Sequence, residues 1–474
     1  MAALVAVTAA GSASANGRYP YSQQLVVDPS DATRLWQRTT YGALTSSNDG
    51  KAWSWLCEQG VGYGTAEDPM FGATATGALL VASVNGMLTT PDHGCSWTTM
   101  PDFGKRLIND LAVSRDGNHV VALTTSITTS NAFDLVVYRS DDAGAHFHAL
   151  GPALSEDIDG LTIEMAASDP MRLYASGVAN IGTVPDAGAL PGSAVGDAGK
   201  GANGVLLRSK DGGATWRRIP VVTASAGQPF IAAVHPTNPD VLYVRVAGPG
   251  SDEGQSVQSF LLYSEDGGDH FREVLRESAD MLGFALSKDG TTVFAGFGDS
   301  YALNGERPVD PSVLGLYRAS ANDFAFTRTV VGQVGCLFQD TSRLYVCGDH
   351  VTSGFELGVS TDDGATVQAL YDWGNALQGP LECPASSEVT RTCTPQWPPI
   401  CDQLGPCSLD AGTASTSGAT NSARGGCDCG SPGRSSSSSN DVGSVKLVMP
   451  SEPLELLAGL SALGAALWRR RRRR

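Results

Sequence analysis

Residues 209–216 read SKDGGATW, and the same arrangement returns down the chain. Ser46–Trp53 is SSNDGKAW, Thr90–Trp97 is TPDHGCSW and Ser140–Phe147 is SDDAGAHF. Ser264–Phe271 is SEDGGDHF, Ser360–Val367 is STDDGATV, and a decayed copy, SANDFAFT, starts at Ser320. Aligned, they give S/T-x-D/N-x-G-x-T/S-W/F. The starts lie 44, 50, 69, 55, 56 and 40 residues apart. A period of about 50 residues is what one four-stranded blade needs, so seven copies count seven blades.

The eight residues read as a turn. Apolar alternation precedes them in GVLLRS (204–209) and follows them in WRRIPV (216–221), which makes strands on both sides and a hairpin between. The side chain of Asp211 is suited to accept hydrogen bonds from backbone N–H groups two residues on. Gly213 supplies a backbone angle that other residues resist. The hydroxyls of Ser209 and Thr215 close the turn, and Trp216 opens the next strand and buries aromatic surface between blades. Asp92, Asp142, Asp266 and Asp362 hold the place of Asp211 in other copies. Calcium in loops such as SDDAGA would need six to eight oxygen ligands, and the turn accounts for these acids without it.

Two further landmarks complete the unit. One is a strand ending near Asp-Pro or Asp-Gly, as in VVDPS (26–30), AASDP (166–170) and ALSKDG (285–290). The other is a pair such as Leu35-Trp36, Leu173-Tyr174, Leu242-Tyr243 or Leu344-Tyr345. Each unit therefore reads strand A, short turn, strand B, loop, strand C, repeated turn, strand D. The expected fold is all-β: a seven-bladed β-propeller of four-stranded antiparallel blades over residues 18–378. Unit one starts with strand A and unit seven ends with strand D, so closure needs no swapped strand.

This repeat resembles the Asp-box, or BNR repeat, of sialidase-like β-propellers, and the whole resembles the broader group that includes the photosystem assembly factors. In sialidases the active site lies on the face opposite these turns. The resemblance implies catalytic machinery only where three arginines, a Tyr–Glu pair and an acidic donor are present, together with an F-R-I-P motif. Here the nearest string is RRIP (217–220), after a turn and without the Phe. Arg34, Arg172 and Arg343 precede the Leu-Tyr pairs, and Arg139 and Arg208 precede the turn Ser, so the repeat itself explains them.

The ends read as processing segments. Residues 1–15, MAALVAVTAAGSASA, resemble a secretory signal peptide with its small-residue stop. Residues 408–443 are rich in Ser and Gly and read as a disordered linker. The segment 444–474 holds LELLAGLSALGAALW (454–468) before six arginines. As a short hydrophobic helix, Leu456 to Trp468 spans about 20 Å at ~1.5 Å per residue, against a hydrocarbon core of about 30 Å. That suits a sorting signal with a positive stop. With GGCDCGS (425–431) upstream, the arrangement resembles the C-terminal sorting signal of myxobacterial surface proteins, which implies lipid attachment at Cys427 or Cys429 and membrane association through this segment.

Ten cysteines in an exported chain favour disulfides. Cys336 and Cys347 flank a hairpin and are expected to pair. Cys57 and Cys95 are the expected second pair. Cys383, Cys393, Cys401 and Cys407 would form two more within a Cys/Pro-rich segment, 379–407, because their spacing lacks the tight zinc knuckle. The seven histidines are scattered, and neither a metal nor a cofactor is expected.

The formal charge is −17, and the body without its terminal arginines is more acidic still. Nucleic acid is therefore excluded as a partner. The long B–C loops fall in blades 3 to 6, on the face away from the repeated turns, where binding residues concentrate on a rigid scaffold. The candidates are Tyr301, Asn304, Glu306, Arg307, Asp252 and Glu253. The expected role is a monomeric, surface-displayed, non-catalytic module for a protein or glycan ligand. The alternative is a glycoside hydrolase acting from the same face.

Overall fold

The computed structural model describes residues 21–404, apart from 66, 129–132, 180–203, 222–226, 248–257, 300–308 and 373–375. The segments 1–15, 408–443 and 444–474 lie outside the described residues, and so do Cys407, Cys427 and Cys429.

The described strands form seven sheets, each built on four consecutive antiparallel strands. Blade 1 is Ser22–Val27, Leu35–Thr39, Gly42–Ser46 and Trp53–Leu56. Blade 2 runs from Met70–Ala73 to Thr98–Thr99, and blade 3 from Leu107–Val113 to His148–Ala149. Blade 4 runs from Ile158–Ala166 to Arg217–Pro220, and blade 5 from Gln228–Val234 to Arg272–Glu277. Blade 6 runs from Asp280–Leu286 to Thr327–Val331, and blade 7 from Cys336–Gln339 to Gln368–Tyr371. The first strand of each blade packs on the first strand of the next, and Ser22–Val27 packs on Cys336–Gln339 to close the ring. This is the seven-bladed propeller that the repeat count predicts.

The core lies between blades. The Leu-Tyr landmark is the second strand of its blade, and Leu35, Trp36, Tyr174, Tyr243, Phe294 and Tyr345 are all fully buried there. Leu123 and Leu135 of blade 3 form one cluster with Ile163 and Leu173 of blade 4. Burial of each such side chain stabilises the fold by about 1.5–3 kcal/mol.

The repeated turns share one set of bonds. The hydroxyl of Ser209 donates to Asp211 Oδ1 at 2.8 Å and accepts from Gly213 N at 2.8 Å. Asp211 Oδ1 then accepts from Thr215 N at 2.9 Å, and Oδ2 from the Thr215 hydroxyl at 2.5 Å. The acceptor thus serves the residue four positions on, not two as expected, because the Ser takes the nearer N–H. Asp92, Asp142, Asp266 and Asp362 repeat the pattern, and His146 and His270 stand in for Thr215. In blade 1, Asn48 performs the same task on Ala52 N at 2.9 Å. Trp216 Nε1 donates to the Gly213 carbonyl at 2.9 Å. Gly213 has a φ of 95°, in the left-handed region that a Cβ disfavours.

Closure uses a strand that the repeat does not contain. Leu377–Pro380 follows blade 7 and pairs in parallel with Trp53–Leu56, as a fifth strand on the outer edge of blade 1. The next residues cross that edge. Cys383 bonds Cys95 and Cys393 bonds Cys57, while Cys336 bonds Cys347 within blade 7 as expected. The expected Cys57–Cys95 bridge does not form, nor does a Cys383–Cys393 pairing. The parallel strand carries the Cys-rich segment onto blades 1 and 2, where it meets both earlier cysteines. Trp397 then packs on Trp55 with ring centroids 5.5 Å apart. Disulfides spanning 336 and 288 residues belong to an oxidising compartment.

Replacing the buried Ser209 with Ala leaves Gly213 N without its acceptor, which costs about 1–3 kcal/mol. Asp211→Asn keeps most of the stability, because Asn48 already fills that role in blade 1. Thermal melts of both variants check this. A Ser209→Ala melt equal to wild type would sink the account of the turn.

Candidate functional site

The propeller axis holds a cavity of about 1160 Å³. It is walled by the first strand of each blade and opens among the B–C and D–A connections, away from the repeated turns. Five of these inner strands carry an irregularity in register, between Ser22 and Gln24, opposite Leu123/Thr124, and at Gly160/Ile163, Ile231/Ala233 and Met281/Gly283. The extra residues include Gln23, Asn109, Thr162, Ala232 and Leu282, and all of them line the cavity. A bulge breaks the two-residue alternation and re-aims a side chain, so these positions face the axis.

The same region is where blades fasten to one another. Gln24 of blade 1 accepts from Phe71 N at 2.9 Å and donates to its carbonyl at 3.0 Å. Asp110 of blade 3 accepts from Ile163 N of blade 4 at 2.9 Å. Thr162 accepts from Ile231 N at 2.9 Å, and Ser259 from Met281 N at 3.0 Å. Gln333 makes two bonds to the backbone of Asp299, at 2.9 and 3.1 Å. These polar side chains act as clasps, satisfying backbone groups that their own sheet leaves unpaired.

The phenylalanine rings of the wall, Phe230, Phe284 and Phe338, all come from blades 5 to 7. Polar groups come from both sides: Gln23, Arg38, Asn109, Asp110 and Glu164 on blades 1 to 4, and Arg245, Asp299 and Asp349 on blades 5 to 7. Arg245 stands over the Phe230 ring at 4.6 Å and donates to the Met281 carbonyl. Burial pushes the Asp110 carboxyl up to about 7, against the pull of Ile163 N, Leu111 N and Arg38. Burial, then the charge of Asp110, pushes Glu164 up to about 8. Both acids are therefore largely neutral in mildly acidic solution.

A second polar cluster sits at the rim in blade 7. Its second and third strands pair Cys347 with Leu357, which brings the two ends of residues 348–356 together. Glu356 is fully buried and accepts at Oε1 from His350 N and from His350 Nδ1, both at 3.0 Å. Burial lifts the Glu356 carboxyl to about 6, and His350 opposes the rise. Asp349 is buried beside them and lines the cavity. The sequence reading left out Asp110, Glu164 and this trio. The one available signal was Asp and His just after the second strand of blade 7, beyond Gly348, with Glu directly before the third.

The expected candidates Tyr301, Asn304, Glu306, Arg307, Asp252 and Glu253 lie outside the described residues. The stretch bearing the first four is bracketed by Asp299 and Val309, and both of these line the cavity. Four of the five repeat-placed arginines are struts between blades, while Arg34 pairs with Asp28 and Asp31 inside blade 1. Arg172 pairs with Asp240, Arg139 reaches the Pro170 carbonyl at 3.1 Å, and Arg208 takes the carbonyls of Asp266 and Gly267 at 2.9 and 2.8 Å. Arg343 bonds Asp49 at 2.7 Å across the closure. Arg218 of RRIP bonds Asp157 at 3.0 Å.

No protein-family model matches the sequence, and no curated protein matches it. Among solved structures, the chain is similar to an ancestral GH74 enzyme at 15% identity and a TM-score of 0.46, over 74% of this chain and 44% of that one. It is similar to the GH74 enzyme of Niastella koreensis at 15% identity and a TM-score of 0.30, over 75% of this chain and 63% of the other. YCF48 from Cyanidioschyzon merolae is matched at 13% identity and a TM-score of 0.41, over 70% of this chain and 93% of that protein. The chain thus spans less than two thirds of the length of either GH74 enzyme.

The raised acids set a pH dependence. Asp110 and Glu164 hold protons in the folded chain to about 7 and about 8, well above their unfolded values. The native state therefore binds more protons than the unfolded state between about pH 4 and 8, and stability falls as pH rises through that window. Melts from pH 5 to 8.5 should show wild type losing stability relative to an Asp110→Asn, Glu164→Gln double variant. A difference that stays constant with pH contradicts the assignment.

Proposed function

We propose that this chain is an exported, surface-displayed propeller that binds a glycan at the open mouth of its axial cavity, without catalysis. The observation that carries this reading is the mixed wall, with hydrogen-bonding groups around the cavity and the rings of Phe230, Phe284 and Phe338 gathered on blades 5 to 7. A sugar presents hydroxyl edges and apolar faces, and a largely pre-formed concave site with a few placed polar groups is what such a ligand needs. The clasps support a binding role, since Gln24, Asp110, Thr162 and Gln333 already serve the backbone of neighbouring strands. The described disulfides support export. Residues 1–15 would direct it, and the segment 444–474 with Cys427 or Cys429 would hold the chain at the surface. A monomer with no nucleic-acid partner fits the acidic body.

A second reading rests on one feature. Asp110 and Glu164 share the cavity, and their raised proton affinities suit acid–base work on a glycosidic bond. A glycan array and a panel of reporter glycosides, run on the full chain, separate the readings. Binding without turnover, weakened at least about fivefold by Phe230→Ala, supports the module. Turnover abolished by Glu164→Gln supports the hydrolase. Neither binding nor turnover overturns a glycan ligand.

A further inference from the structure

We propose that Asp349, His350 and Glu356 form a site for a first-row divalent metal ion of the zinc type at the rim of the cavity. One ligand atom from each residue lies within 4.8 Å of the others. All three come from the single connection between the second and third strands of blade 7, so the register that pairs Cys347 with Leu357 holds the set together.

The geometry needs little change. His350 Nδ1 and Glu356 Oε1 are 3.0 Å apart. Two ligands of a tetrahedral zinc ion with bonds of ~2.05 Å stand about 3.3 Å apart. A metal replacing the proton between these atoms would spread them by only a few tenths of an ångström. Glu356 is already held in place, since Oε2 accepts from the Ser22 hydroxyl at 3.4 Å. Asp349 Oδ1 is positioned by Val351 N at 2.7 Å.

A second observation supports a cation at this rim. Tyr21 is 7% exposed, and its hydroxyl makes no hydrogen bond in the structure. That hydroxyl is wedged at the join of blades 6, 7 and 1, where a Cβ on Gly335 would lie 2.3 Å away and one on Gly298 3.1 Å away. Asp349 and Glu356 act on it most strongly after burial, and Asp280 and Asp299 add to them. A buried phenol without a hydrogen bond, under the charge of Asp349 and Glu356, favours a cation nearby. The imidazole among the donors selects zinc-type ions over calcium, which takes oxygen ligands in larger number. Three protein ligands leave a position for water or for a ligand entering from the cavity, which Asp349 lines. The inference stands whether or not the cavity binds a glycan.

The test uses the full chain, stripped with chelator, loaded with Zn²⁺ and dialysed, with retained metal measured per chain. The expected result is one equivalent in wild type and in His119→Gln, whose ring faces Asp141 elsewhere. His350→Gln and Asp349→Asn should each weaken binding at least about tenfold. Near-ultraviolet circular dichroism checks that each variant folds. Should His350→Gln fail to fold, Asp349→Asn at the rim decides. No retained zinc in wild type overturns the proposal. So does equal retention in all variants, or a preference for Ca²⁺ that His350→Gln leaves unchanged.

Discussion

A ring of sheets has one shared constraint: the innermost strand of every blade must satisfy its backbone while bending around the axis. In five of the seven blades a bulge relieves the bend, and at four junctions a side chain from the preceding blade takes up a backbone group of the next inner strand. Gln24 does this for Phe71, Asp110 for Ile163, Thr162 for Ile231 and Ser259 for Met281. An unmade bond to a buried N–H costs about 1–3 kcal/mol, so each clasp fixes the angle between two blades. The cavity wall is what these fixed angles leave. Its shape is thus set by the fold before any ligand arrives.

Closure applies the same constraint at the seam. Blade 7 meets blade 1 through Arg343 and Asp49, through Ser22 and Glu356, and through the added strand Leu377–Pro380. The two long-range disulfides then tie the following segment to the outer edges of blades 1 and 2. They join the last part of the described chain to its first part, so they remove unfolded-state freedom on the largest scale available. The buried Tyr21 hydroxyl lies at this same seam. Glu356, a ligand in the proposed metal site, accepts from Ser22 of blade 1 across this seam.

The fold was legible in the sequence because its defining bonds are local. Ser209, Asp211, Gly213, Thr215 and Trp216 complete their network within eight residues, so spacing alone reveals it, and its repetition counts the blades. The cavity was not legible for the opposite reason. Asp110 and Ile163 are 53 residues apart, and bulges shift which residues face the axis. The disulfides divide the same way. Cys336–Cys347 follows from hairpin register, but Cys57 and Cys95 take partners brought by a parallel strand outside the repeat. His350 looked like one of several scattered histidines until the register of blade 7 placed it on Glu356.

Hydrogen–deuterium exchange, read by mass spectrometry on peptides spanning Phe71, Ile163, Ile231 and Met281, tests the clasped ring most directly. These amides bond to side chains of the neighbouring blade, not to their own sheet. The account predicts protection close to that of the fully buried second strands, in the absence of any ligand. Exchange as fast as that of exposed turns would contradict it, and with it the claim that the cavity is built before its ligand binds.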